Sequence, residues 1–209
     1  MSEYVPRLTA PSYDNPLWIQ INSGGYNRCI YGSNGAPSVL PNCTGYVHGR
    51  CMEIAGVTSD DLGLSFGNAV QYYGESSADW ERTSEPSLGA VACYESLPWF
   101  SLDAPHPGHV AIVEEIIDAD TVVISQSDYG RDRFSTWTIR REWNWSPFQN
   151  YADWGVAFQG FLKNPYVDDE PTPTPPTPTG DKQKYVIMFL AKKRKEAQHG
   201  RVKRYSRFI

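Results

Sequence analysis

The residues best suited to do chemistry in this chain are a thiol, Cys43, an imidazole, His109, and two polar side chains, Gln126 and Asp128. Cys43 stands in Leu40-Pro41-Asn42-Cys43-Thr44-Gly45-Tyr46. Asn is a favoured N-cap, and Pro41 discourages a helix from starting earlier, so Cys43 falls at the first position of a helix. There the unpaired amides and the positive end of the helix dipole favour thiolate over thiol, and the expected pKa is below the ~8.5 of a free cysteine. Such a thiol is a candidate nucleophile. Taken alone it reads more readily as a small buried hydrophobe, and partners elsewhere must overturn that reading.

A cysteine nucleophile needs a base within hydrogen-bonding reach and a third group to orient that base. His48 lies five residues past Cys43 on the same helix, points away from the thiol, and reads as a partly buried or surface histidine. His106 sits between two prolines in a loop, and His199 lies near the C-terminal end. His109 follows Gly108 at the start of a strand, where its ring can face a helix N-terminus packed on a sheet. The next strand supplies Ser125-Gln126-Ser127-Asp128. Gln126 could orient the ring through its amide oxygen without adding charge, whereas Asp128 would raise the histidine pKa as a carboxylate. Both also read as ordinary polar groups at a strand end.

The elements that must position these groups are legible in the patterning. A helix spans residues 43–55 and closes at Gly56. A short second helix covers residues 68–73, and residues 74–86 form a loop that carries Trp80 to a rim. Apolar runs and period-two patterns predict strands at residues 88–94, 109–116, 121–127, 134–139 and 156–162. Asp118-Ala119-Asp120 makes a tight hairpin turn between the second and third of these. Helices followed by a mostly antiparallel sheet indicate an α+β fold.

Residues 1–40, rich in Pro, Gly, Ser, Asn and Tyr, read as an irregular arm wrapped on the domain. The folded part is expected to cover residues 1–167. A Pro/Thr-rich linker follows at residues 168–180, where polyproline II is the expected form, and a basic tail at residues 181–209. That tail holds ten Lys/Arg against Asp181 and Glu196, a charge of +8, so the remaining chain carries −13 and the total of −5 hides two opposite regions. Four cysteines at irregular intervals form no CxxC pair, so neither a zinc site nor a disulfide scaffold is expected, though one bridge among Cys29, Cys51 and Cys93 stays open. The first six residues have neither a basic start nor an apolar run, so no secretory leader is expected. The longest apolar stretch, residues 185–191, is far short of the ~20 needed to span a bilayer.

Three pieces in order carry a family resemblance: Pro41-Asn42-Cys43-Thr44-Gly45-Tyr46 with Gly49-Arg50, then Leu88-Gly89-Ala90-Val91-Ala92-Cys93, then Gly108-His109-Val110-Ala111-Ile112-Val113-Glu114. Together they resemble the CHAP domain family (cysteine, histidine-dependent amidohydrolase/peptidase), particularly that of phage lysins, over residues 16–165. The resemblance implies a papain-like fold and hydrolysis of peptidoglycan amide bonds. Cys43 would be the nucleophile, His109 the base and Gln126 the orienter, with Asp128 the alternative orienter. Many members have Glu, and some Asn, where this chain has Gln126, so the pair with His109 would be less electrostatically favoured here. Some members bind calcium through an acidic loop before the cysteine. Residues 19–41 contain no Asp or Glu, and no metal or other cofactor is expected.

The lysin resemblance further implies a bacterial peptidoglycan substrate, with the N-acetylmuramoyl-L-alanine amidase reaction preferred over endopeptidase cleavage of the stem peptide. An inactive wall-binding or structural phage tail protein is the alternative of another class. The basic tail suits anionic wall polymers; no nucleic acid partner and no membrane span are expected. A phage product of this kind would reach the wall from the host cytoplasm through holin lesions, or from outside as part of a virion tail. Tyr46, Trp80, Trp99, Phe100, Tyr129 and Trp137 are candidate groove-rim aromatics, with Trp80 and Tyr129 the preferred substrate contacts.

Overall fold

A computed structural model describes residues 4–12, 15, 42–58, 61–97, 107–128, 134–150 and 155–168 of the chain. Apart from Asp168 the expected linker and the basic tail fall outside these residues, as does nearly all of residues 13–41.

Helix α1 (Cys43–Ala55) begins and ends where side-chain and backbone chemistry dictates. Asn42 is extended, and its Oδ1 accepts the Gly45 N–H at 2.8 Å and the Thr44 hydroxyl at 2.8 Å. At the other end Gly56 takes the left-handed conformation, φ 67°, with its N–H on the Glu53 carbonyl and the Val57 N–H on that of Met52. Glycine is the residue that adopts this cap without steric cost. The helix is buried continuously from Thr44 to Met52, including His48 and Arg50.

A 3-10 turn (Ala69–Gln71) leads into the one-turn helix α2 (Tyr72–Glu75). The strands are β1 (Arg82–Thr83), β2 (Val91–Ser96), β3 (His109–Asp118), β4 (Thr121–Ser127), β5 (Phe134–Arg140) and β6 (Val156–Leu162). They form one six-stranded sheet in the order β1-β6-β2-β3-β4-β5, and every pairing is antiparallel. The α+β expectation holds, and the five expected strands appear within a few residues of their predicted bounds. The short β1 falls within the expected loop of residues 74–86, because two residues pairing at a sheet edge carry no period to detect.

The sheet has an apolar layer on each face. Val91, Cys93, Val110, Ile112 and Leu162 pack with Tyr46, Val47, Cys51 and Met52 of α1. Ala90, Ala92, Tyr94, Ala111, Val113, Val122, Ile124, Ile139 and Phe161 form the other layer, covered by Trp145. The one-residue alternation along β3 sorts its side chains between these layers. Cys51 and Cys93 are both free thiols.

Candidate active site

The strand that carries His109 begins at a point where two backbones converge. Gly108 has φ 71°, and a Cβ there would meet the Tyr94 carbonyl oxygen at 2.5 Å and the Val70 nitrogen at 2.6 Å. Only glycine fits this approach and this conformation together. The Gly108 N–H donates to Ser96 Oγ at 3.0 Å and the Val70 N–H to the Pro107 carbonyl at 2.9 Å, so the entry to β3 is held from both sides.

From that start His109 engages Gln126, with Nε2 and Oε1 2.7 Å apart. The amide oxygen is an acceptor, so Nε2 carries the hydrogen and Nδ1 is left as the basic nitrogen. The Gln126 amide is itself oriented, since Nε2 donates to Ser135 Oγ at 3.3 Å across the β4–β5 pairing of these two residues. Gln126 has no solvent exposure. Burial pulls the His109 pKa below its ordinary value; the Gln126 hydrogen bond and the Asp128 charge oppose that shift without cancelling it. Of the two candidate orienters, Gln126 makes the hydrogen bond at 2.7 Å, and Asp128 acts on the ring through its charge.

Cys43 reaches the same place from the helix side. The backbone amides of Val110, one residue along β3 from His109, and of Thr44 and Cys43 itself favour its thiolate. The helix N-terminus therefore abuts the start of β3. The expected lowering of the thiol pKa is not what this environment produces. Burial pushes the Cys43 pKa up to about 11, and the three amides only partly offset it. The physical reason is that amide dipoles do not replace the water a thiolate loses, and no full positive charge compensates, because His109 is held neutral. The resting pair is thus thiol and imidazole rather than thiolate and imidazolium.

Three further expectations are corrected. Trp80, expected on a rim, has no exposed surface; it is a core residue whose Nε1–H donates to the Leu62 carbonyl at 2.7 Å. Tyr46 is likewise fully buried, and its hydroxyl donates to Ser125 Oγ at 2.6 Å. His48, expected to be partly buried or at the surface, is completely buried, with its ring stacked on Phe66 at 4.9 Å and Nε2 3.3 Å from the Ser65 carbonyl oxygen. Residues from other parts of the chain meet each ring: Leu62 and Tyr166 at Trp80, Ser125 and Phe134 at Tyr46, and Ser65 and Phe66 at His48. Trp137 is half-buried and meets Phe148 edge-on at 6.3 Å. Tyr129, Trp99, Phe100, His106 and His199 lie outside the described residues.

The sequence reading missed Ser135, which fixes the Gln126 amide, and the buried Arg50–Glu114 ion pair, whose Nη2 and Oε2 are 2.9 Å apart. A charged residue inside the apolar run His109-Val110-Ala111-Ile112-Val113-Glu114 was the available signal for the latter. Among the described residues no three His, Cys, Asp or Glu side chains converge as a metal-ligand set would.

The CHAP domain family model matches residues 31–128, a span holding Cys43, His109, Gln126 and Asp128. No curated protein matches the chain. Among solved structures the chain is similar to the N-acetylmuramoyl-L-alanine amidase from Staphylococcus aureus, with 23% identity, a TM-score of 0.39 and 59% of this chain covered. The match takes in 30% of that protein's length. The cysteine-bearing helix N-terminus and the histidine-bearing strand that it abuts thus both fall within residues 31–128, the part of the chain that matches the CHAP domain family model.

Proposed function

We propose that this protein hydrolyses an amide bond of bacterial peptidoglycan, with Cys43 as nucleophile, His109 as base and Gln126 as the group that orients His109. The observation that carries the reading is the His109–Gln126 hydrogen bond on a strand packed against the helix that Cys43 begins. Because thiol and imidazole both rest neutral, His109 Nδ1 takes the thiol proton as the sulfur attacks the carbonyl carbon, rather than before it. The tetrahedral oxyanion gains stabilisation from the Cys43 backbone amide at the head of α1. Its C–N bond then breaks, and His109 returns the proton to the departing amine. Water, deprotonated by the same ring, cleaves the thioester to a carboxylic acid and regenerates the thiol.

Within this class the muramoyl-L-alanine junction is the preferred scissile bond, the wall is that of a Gram-positive host, and the enzyme acts as a phage lysin. Residues 181–209, with their excess of Lys/Arg, support adhesion to anionic wall polymers. Purified protein is expected to clear suspensions of Gram-positive walls, and Cys43→Ala and His109→Ala are expected to abolish clearing while leaving binding intact. Mass spectrometry of the digest separates the bonds: new muramic acid ends identify an amidase, new peptide termini an endopeptidase. Binding by the unaltered protein without any release of fragments would overturn the enzymatic reading in favour of a wall-binding role.

A further inference from the structure

Glu114 is an acidic side chain with no solvent exposure, placed where β3 slips register against β4 between Val113 and Glu115. A bulge re-aims the side chain it carries, and here the carboxylate lies among α1, β4 and the N-terminal arm. Five donors meet it. Arg50 Nε and the Ser125 hydroxyl donate to Oε1 at 3.0 and 2.6 Å. Arg50 Nη2, the Tyr4 hydroxyl and the Arg7 N–H donate to Oε2 at 2.9, 2.7 and 2.8 Å. Arg50 also donates to the Val5 carbonyl at 2.6 Å, which ties the arm to the helix.

The Ser125 branch has a direction. Its hydroxyl hydrogen goes to Glu114, so its oxygen accepts from the Tyr46 hydroxyl, and both distances are 2.6 Å. Tyr46 lies on the first turn of α1, three residues after Cys43; Ser125 immediately precedes Gln126 on β4. Neighbouring side chains on a strand point to opposite faces, so Ser125 reaches the helix while Gln126 reaches His109. One buried carboxylate thereby ties the turn that carries the thiol to the strand residue next to Gln126, the partner of the imidazole. Buried ion pairs add little net stability compared with apolar residues of the same shape, and their best-attested use is to fix one geometry.

We infer that the Glu114–Ser125–Tyr46 chain is a positioning device, with Ser125 and Tyr46 as positioning residues that set Cys43 against the His109–Gln126 pair. The inference rests on the function proposed above. Neither hydroxyl touches substrate; each acts through the backbone element it anchors, and a thiol displaced by a fraction of an ångström loses its near-attack geometry.

The test removes the two hydroxyls and leaves Glu114 and Arg50 paired, because Glu114→Gln would strand a buried guanidinium and risk the fold. Tyr46→Phe and Ser125→Ala are each expected to lower kcat on wall substrate about 10-fold with KM within about twofold, the range seen when a supporting hydrogen bond is lost. The double variant is expected to be no slower than the slower single variant, since both changes cut one link. Ser125→Thr, which keeps the hydroxyl, is expected to restore kcat. The alkylation rate of Cys43 by iodoacetamide, which needs no wall substrate, is expected to fall in the same proportion. Unchanged kcat and alkylation rates in both single variants, with only the melting temperature lowered, would reduce the chain to a stabilising contact and overturn the inference. Should the unaltered protein prove inactive on walls, the alkylation series decides alone, so failure of the function and failure of the positioning role are told apart.

Discussion

Gln126 meets His109 diagonally rather than directly. Ile112 is the register partner of Ser125, so the next pair along places Gln126 opposite Ala111, and the Gln126 side chain reaches past that small residue to the His109 ring, with Oε1 2.7 Å from Nε2. Diagonal neighbours across antiparallel strands lie about 7–8 Å apart at their backbones, a gap that a long side chain closes. The length of glutamine and the smallness of Ala111 are both part of the orienting contact.

Gln126→Ala is accordingly expected to reduce kcat/KM by about 10- to 100-fold, and Asp128→Ala by less than about fivefold. Gln126→Asn, one methylene shorter, should behave like the alanine variant. A larger loss from Asp128→Ala than from Gln126→Ala, measured on the same wall preparation, would move the orienting role to Asp128.

The neutral resting pair sets the pH behaviour. Burial lowers the His109 pKa from its ordinary value and raises that of Cys43 to about 11. The competent state, neutral thiol with neutral imidazole, is therefore populated above the depressed histidine pKa and persists into alkaline solution. Activity should rise through a point below the ~6.5 of free histidine and show no decline near pH 8.5. Cys43 alkylation should keep rising toward pH ~11; a plateau reached by neutral pH would instead establish a preformed thiolate–imidazolium pair.

Trp80 offers a separate test of burial against rim placement. Its ring is part of the core beside Leu62 and Leu64, and its N–H is satisfied by the Leu62 carbonyl. Trp80→Ala should destabilise the fold by about 3–5 kcal/mol, read by denaturant titration. A variant with unaltered stability and a raised KM would restore Trp80 to the groove.

Acid stability should carry the signature of Glu53. Burial alone would raise its pKa, but the Arg7 and Arg50 guanidinium groups overcome that and hold it below the usual value. A depressed folded-state pKa contributes stability that is complete above the unfolded value of about 4.3 and is lost as pH falls through the folded one. Glu53→Gln is expected to lower the melting temperature at pH 7 and to flatten its decline below pH ~4. Equal acid slopes in the two proteins would show that the Arg7–Glu53–Arg50 cluster is not a source of acid sensitivity.

Much of the fold was legible because it is written in local chemistry. Asn42 and Gly56 mark the ends of α1 whatever surrounds it, since each satisfies backbone groups of its own turn. The strand runs and the Asp118-Ala119-Asp120 turn likewise declare β3 and β4 without reference to the rest of the chain. Cys43, His109 and Gln126 stand out as candidates by residue type and order, and the CHAP resemblance gives that order a fold.

What tertiary structure alone decided is how each group is solvated. A helix-start cysteine taken by itself sees a dipole that favours its anion; packed against the head of β3 beside a neutral ring, it loses more hydration than the dipole returns, and its pKa rises. Trp80, Tyr46 and His48 looked available because nothing local covers them, and they are buried by segments distant in sequence or by the next loop. The carboxylate of Glu114 was invisible as an organiser for the same reason, as its five donors come from residues 4, 7, 50 and 125 and meet only when the sheet, helix and arm have closed on one another.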